Sequence, residues 1–308
     1  MATSQNPGLH RFAAFTAACT FLLLVAGALV TSNDAGLAVP DWPLSYGSLT
    51  PPMVGGILYE HGHRIVATFV GILTIILAVW LWRREPRRRV RRLGLVALAA
   101  VIAQGVLGGL TVLFFLPVAV SVAHASLAQL FFSTVISLAL FTSRWWQHDL
   151  PQVEDSGSPR VRSLAMATVA AIFLQLVLGA AFRHKGFGIV PHLVGAAAVT
   201  LLVFWTAGVL RRRFPDVGAL GRCRRLLHVL IGLQLLLGGA AWWSRGFARD
   251  FPQPVPVTVW LTVAHTVVGA LTLAAAVVTA LVCFRLLARG RVQALASRPQ
   301  KIHEQAAL

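Results

Sequence analysis

Eight apolar stretches, most of them close to the length of a membrane-crossing helix, leave this chain little choice of fold. They fall at about 11–31, 65–82, 93–117, 119–142, 163–182, 188–210, 226–243 and 257–284, and about 20 helical residues cross a hydrocarbon layer. Backbone amides in lipid must find partners within their own segment, so each continuous stretch reads as an α-helix. With 57% hydrophobic and 12% charged residues in 308, a soluble globular fold is excluded. The first stretch, preceded by only His10 and Arg11, is longer than a secretory h-region and reads as a retained span. The three cysteines, Cys19, Cys223 and Cys283, are scattered singly and offer neither a disulfide framework nor a thiolate site.

The formal charge of +17 does not call for a nucleic-acid partner, because the arginines cluster in short segments between apolar stretches. Seven lie between Arg83 and Arg92, six between Arg211 and Arg225, and Arg285, Arg289 and Arg291 flank the last stretch, whereas Ser32 to Tyr59 holds none. Arginine-rich short loops face the cytoplasm. The expected location is the inner membrane, multi-pass and in contact with lipid, with both termini cytoplasmic. Arg183, Lys185, Arg245 and Arg249 then fall on the outer side, against the charge rule, which suggests a local task for them.

The two halves of the chain repeat. Gln104-Gly105-Val106-Leu107-Gly108-Gly109 in the third stretch is echoed by Gln234-Leu235-Leu236-Leu237-Gly238-Gly239 in the seventh, at an offset of 130. Val122-Ala123-His124 recurs as Val263-Ala264-His265 at an offset of 141, and His63 pairs with His192 at 129. Three features in one order at nearly constant offset point to a duplicated four-helix unit. Four crossings return the chain to the same side, so the units should be parallel. The fold class expected is an all-α polytopic membrane protein of eight transmembrane helices in two pseudo-symmetric four-helix bundles, residues 1–150 and 151–308.

Each even-numbered stretch carries one histidine near its outer end: His63, His124, His192 and His265. A single membrane imidazole is commonly an interhelical hydrogen-bonding group. Four at repeat-equivalent positions argue for ligands. Zinc or copper sites recruit a carboxylate, a thiolate or a further histidine close by, whereas two histidines per unit on separate helices suit the two axial positions of a haem in a bundle core. Gly108, Gly109, Gly238 and Gly239 could thin the helices for a flat macrocycle, although small residues also serve plain helix packing. His61, His184 and His228 do not recur and read as packing residues.

The halves also differ. Glu60 precedes His63 by three residues and shares its helix face, while the equivalent position in the second half is Ile189. Glu60 could merely cap a helix N-terminus; occurring in one half only, it marks that half as the reactive one. The first outer loop is long, and its Trp42 is either an interfacial anchor or part of a lid over the first pocket. The connector from Arg144 to Arg162 and the tail after Arg289 read as solvated segments without chemistry.

With Gly-Leu-Ala-Val-Pro-Asp-Trp-Pro at 36–43, Glu-x-x-His-Arg at 60–64 and histidines at 124, 192 and 265, the chain resembles the haem A synthase family of cytochrome oxidase assembly proteins. The resemblance implies oxidation of the C8 methyl of haem O to a formyl group through a hydroxymethyl intermediate. It implies His63 and His124 as axial ligands of the substrate haem, His192 and His265 as ligands of a haem B cofactor, and Glu60 as the catalytic group. It implies as partners a haem O synthase (protohaem farnesyltransferase) and an electron-transfer protein, and leaves homo-oligomerisation open. Some family members carry a cysteine pair in the first outer loop; here Ser45 stands where a cysteine is often found, so redox chemistry of such a pair does not apply. Arg64, Arg183, Lys185, Arg245 and Arg249 are candidates for pairing with haem propionates. Two rival classes fit part of the pattern. A non-catalytic di-haem electron carrier would need the histidines but not Glu60 or the long loop, and a transporter would share the repeats but not the continuous helices.

Overall fold

The computed structural model describes residues 6–289. Eight helices long and apolar enough to cross a membrane dominate it: α1 (Pro7–Ser32), α2 (Gly55–Arg84), α3 (Arg88–Leu113), α4 (Val118–Thr142), α6 (Val161–Arg183), α7 (Val190–Arg213), α8 (Gly218–Phe247) and α9 (Pro256–Leu286). A single turn, α5 (Arg144–Gln147), follows α4, and a 3-10 turn (Ala248–Asp250) follows α8. The chain is a multi-pass membrane protein, as its apolar stretches require. Two starts differ most from the hydropathy reading: α2 begins ten residues earlier than expected and α8 eight residues earlier. Both extensions are polar turns, Tyr59 to Arg64 in α2 and Arg222 to Arg225 in α8, which lower the local hydropathy without breaking the helix.

Local chemistry explains the ends. Asn6 Oδ1 accepts from the Leu9 amide at 3.0 Å and Pro7 occupies the first turn of α1, where its missing N–H costs nothing. Pro191 and Pro256 open α7 and α9 in the same way. Pro117 ends the α3–α4 link, and before it the Leu116 amide donates back to the Thr111 carbonyl at 2.7 Å.

The helices pack in two rings. In one, α1 packs on α2, α2 on α3, α3 on α4 and α4 on α1; in the other, α6 packs on α7, α7 on α8, α8 on α9 and α9 on α6. The rings meet through α1 and α4 against α9, and α4 against α6. This makes α9 the most enclosed helix: 72% of its apolar window is buried, against 22–44% for the others.

The connector between the rings is more ordered than the sequence suggests. Val153–Asp155 forms strand β1, which pairs in parallel with β2 (Leu287–Arg289) just after α9. The buried Asp155 carboxylate accepts from the Val161 amide at 2.7 Å and lies 3.7 Å from the Arg213 guanidinium. Most of the connector is solvent-exposed, as expected, but the buried Asp155 carboxylate and the strand ladder hold it to fixed partners. Arg291 and the tail after Arg289 lie outside the described residues.

Candidate functional site

The four candidate histidines sit half-buried on α2, α4, α7 and α9. Each ring lies against a glycine on the helix that precedes its own. A methyl group built on Gly27 of α1 would lie 3.2 Å from Cε1 of His63; on Gly108 of α3, 3.4 Å from Cε1 of His124. The same construction on Gly179 of α6 gives 2.9 Å to His192 Cε1, and on Gly238 of α8, 3.0 Å to His265 Cε1. At every seat Cε1 is the nearest atom and Nδ1 the next. An ordinary carbon–carbon contact needs about 3.5–4.0 Å, so glycine is what lets each ring lie flush on its neighbour.

Of the glycines expected to thin the helices, Gly108 and Gly238 do so beneath histidines. Gly109 instead seats Trp42, whose ring would be 2.8 Å from an added methyl, and Gly239 meets nothing within 4 Å. Gly27 and Gly179 were missed. The signal for Gly179 is the four-residue spacing Gln175–Gly179, which repeats Gln104–Gly108 and Gln234–Gly238; Gly27 follows Leu23 and carries no such mark.

The rings of His192 and His265 have centroids 6.2 Å apart at an interplanar angle of 85°. Two imidazoles on opposite sides of one iron, with metal–nitrogen bonds of about 2 Å and about 1 Å more to each ring centre, stand roughly 6 Å apart. The donor set therefore fits a bis-histidine haem. Nδ1 of His63, His124 and His265 is buried without a hydrogen-bond partner among the described residues. No three His, Cys, Asp or Glu side chains converge as a metal-ion site among those residues.

Beside His63 lies a polar cluster with no counterpart at the other three seats among the described residues. Glu60 is 4% exposed. Its Oε2 accepts from the Val39 amide at 2.8 Å and its Oε1 accepts from Arg64 Nη2 at 2.6 Å. Since α2 starts at Gly55 and has no acidic residue in its first turn, Glu60 is not an N-cap. Arg64 Nη1 donates to the carbonyls of Asp41 at 2.8 Å and Leu44 at 2.6 Å and to Ser45 Oγ at 3.3 Å. His61 Nδ1 meets the buried Ser45 Oγ at 2.7 Å. Together these bonds pin the first outer loop onto α2.

Within that loop the Asp41 carboxylate accepts from the amides of Gly47 at 2.8 Å and Tyr46 at 2.6 Å. The Gly47 amide foremost, with that of Tyr46, holds the Asp41 carboxyl below the usual carboxylate range. Trp42 lies against Gly109 of α3, which brings the loop into contact with a second helix of the first ring.

The outer basic residues divide. Arg183 is half-buried and its Nη2 donates to Ser32 Oγ at 3.0 Å, and the Arg245 guanidinium lies 5.9 Å from the Phe182 ring centre. Lys185 and Arg249 are exposed. His184, which ends α6, is held below its ordinary pKa by burial and by Arg183. His228 packs on α8, its Nδ1 2.8 Å from the Arg224 carbonyl and its ring 5.1 Å from that of Phe204.

An eight-helix membrane bundle with paired histidines seated on glycine is the class these features define. Residues 54–190 match the cytochrome oxidase assembly protein family COX15-CtaA. The chain is 30% identical over 227 residues to the Heme A synthase of Symbiobacterium thermophilum, covering 64% of this chain and 74% of the relative. It is 34% identical over 138 residues to the Heme A synthase of Shouchella clausii and 33% identical over 138 to that of Halalkalibacterium halodurans, each match covering 44% of this chain and 46% of the relative. With these two, the matched stretch spans about half of the relative's length. The chain belongs to the COX15-CtaA family of cytochrome oxidase assembly proteins.

Proposed function

We propose that this protein is a haem A synthase, oxidising the C8 methyl of haem O to a formyl group through a hydroxymethyl intermediate. The observation that carries this reading is four equivalent histidine-on-glycine seats with a buried carboxylate beside only one of them. His63 and His124 hold the substrate haem in the half formed by residues 1–150. His192 and His265, in residues 151–308, hold haem B, which supplies a one-electron relay to an electron-transfer partner.

Glu60 is the catalytic residue. With water as the oxygen source, each hydroxylation replaces one methyl hydrogen by hydroxyl and releases two electrons and two protons. The second hydroxylation gives a geminal diol, and loss of water leaves the formyl group. Glu60, oriented by the Val39 amide and Arg64, takes a proton from the attacking water, and its charge offsets positive charge developing at the methyl carbon. Pinned by Arg64, the loop keeps Glu60 away from bulk water, which strengthens both effects. A non-catalytic electron carrier would have no use for this cluster.

The outer basic residues Arg183, Lys185 and Arg249 pair with haem propionates, while Arg64 serves the loop. The protein sits in the inner membrane with both termini cytoplasmic, and a haem O synthase is the partner that delivers a poorly soluble substrate.

The test is expression in a host that makes haem O but no haem A, followed by extraction and mass separation of membrane haems. Haem A or its hydroxymethyl precursor should appear with the wild type and disappear with Glu60→Gln, and Arg183→Ala should lower haem content. Bound haem with no modified product, when haem O is present, would overturn the synthase reading in favour of electron transfer.

A further inference from the structure

Three of the four histidine seats carry a glutamine one helical turn before the seating glycine, and the fourth does not. Gln104 Nε2 donates to the backbone carbonyl of His124 at 2.9 Å. Gln175 Nε2 donates to the backbone carbonyl of His192 at 2.8 Å and lies 3.0 Å from its Nδ1. Gln234 Nε2 lies 3.4 Å from the ring nitrogen Nε2 of His265. Each glutamine thus straps the histidine-bearing helix, at the histidine itself, to the helix that carries the glycine. In α1 the equivalent place, four residues before Gly27, is Leu23, which packs against the apolar core of the first ring.

An imidazole bound to iron through one nitrogen keeps its proton on the other, and that N–H needs an acceptor to fix the ring and raise its basicity. The Oε1 atoms of Gln104, Gln175 and Gln234 are all buried without a partner among the described residues, as is Nδ1 of His124 and His265. Each of these oxygens belongs to an amide that already touches its histidine through Nε2, at the backbone carbonyl for Gln104 and Gln175 and at the ring for Gln175 and Gln234. Leu23 has no acceptor to offer Nδ1 of His63.

We propose that Gln104, Gln175 and Gln234 are positioning residues that lock His124, His192 and His265 as haem ligands, and that His63, seated on Gly27 without a glutamine, is the one ligand built to release iron. This rests on the haem assignment above and deepens it. A substrate haem must enter and leave, whereas a cofactor stays, and release through His63 leaves His124 still holding the macrocycle beside Glu60.

The experiment uses the full-length, haem-loaded protein, reduced with dithionite and exposed to carbon monoxide, which binds only where an axial ligand yields. Site assignment comes from the double variant His192→Ala/His265→Ala, which removes both second-half ligands and leaves the first-half haem to report alone. Wild type should bind carbon monoxide at the first-half haem and not at the second. Leu23→Gln should slow that binding at least tenfold. Gln234→Leu should make the second-half haem reactive and shift its low-spin electron paramagnetic resonance signal, and Gln234→Glu should restore both. The inference is overturned if both haems resist carbon monoxide equally, if the second reacts first, or if Gln234→Leu leaves reactivity and spectrum unchanged in a protein that retains its haem. Absence of bound haem from the purified wild type would instead sink the haem reading itself.

Discussion

Replacing Gly238 by alanine would set a methyl group 3.0 Å from Cε1 of His265 and 3.4 Å from its Nδ1. A comfortable contact needs about 3.5–4.0 Å, so the ring must withdraw by roughly half an ångström or more. The helix backbone behind Gly238 cannot give way cheaply, and the imidazole is fixed on the most enclosed helix. Overpacking of this kind costs about 1–3 kcal/mol, corresponding to a loss of roughly 5- to 150-fold in affinity for whatever the ring holds. The neighbouring Gly239 meets nothing within 4 Å, which makes Gly239→Ala the matched control. The assay is haem per polypeptide after detergent extraction and dilution, measured as the pyridine haemochrome. Gly238→Ala should lose haem while Gly239→Ala keeps it. Equal retention by the two variants, with both folded, would refute the claim that the glycine seat sets the ligand's position.

Arg64→Ala removes the donor shared by the Asp41 and Leu44 carbonyls, Ser45 and Glu60; hydrogen bonds to a charged group are worth about 1.5–3 kcal/mol. The loop should then be nicked faster by protease added to the outer face of sealed vesicles, and unchanged nicking would count against a pinned loop. The Asp41 carboxyl, lowered from an ordinary value of 3.8, contributes loop order that is present above that value and fades as pH falls through the folded one. Asp41→Asn should therefore be cut by pepsin faster than wild type at pH 5, with the difference closing at lower pH; a gap that persists in strong acid would contradict this sign.

Most of the fold could be read from hydropathy because lipid permits so few ways of satisfying a backbone. What escaped was of two kinds. The start of α2 was hidden by its own chemistry: Glu60, His61, His63 and Arg64 make those turns polar, and the polar groups of the first outer loop are their partners. The strand pairing of Val153–Asp155 with Leu287–Arg289 joins segments far apart in sequence, and nothing local in either announces the other. In the site, the histidines stood out by repetition. Gly27 and Gly179 did not, because the repeat aligns Gly108 with Gly238 and carries no sign of what each histidine leans on. The glutamine spacing at 104, 175 and 234, and its absence at Leu23, is nonetheless present in the sequence.

The pairing of β1 with β2 sets an order of events at the ribosome. Val153 leaves the exit tunnel long before Leu287, its partner, and at a synthesis rate of about 5–20 residues per second the wait is roughly 7–27 seconds. During that interval the first ring lacks the α9 surface it packs against, and the second has at most three of its four walls. The last of the described helices, α9, also carries His265 and touches both rings. Insertion of α9 and clasping of the connector therefore coincide, so the pair His192 and His265 is not assembled until α9 has been made.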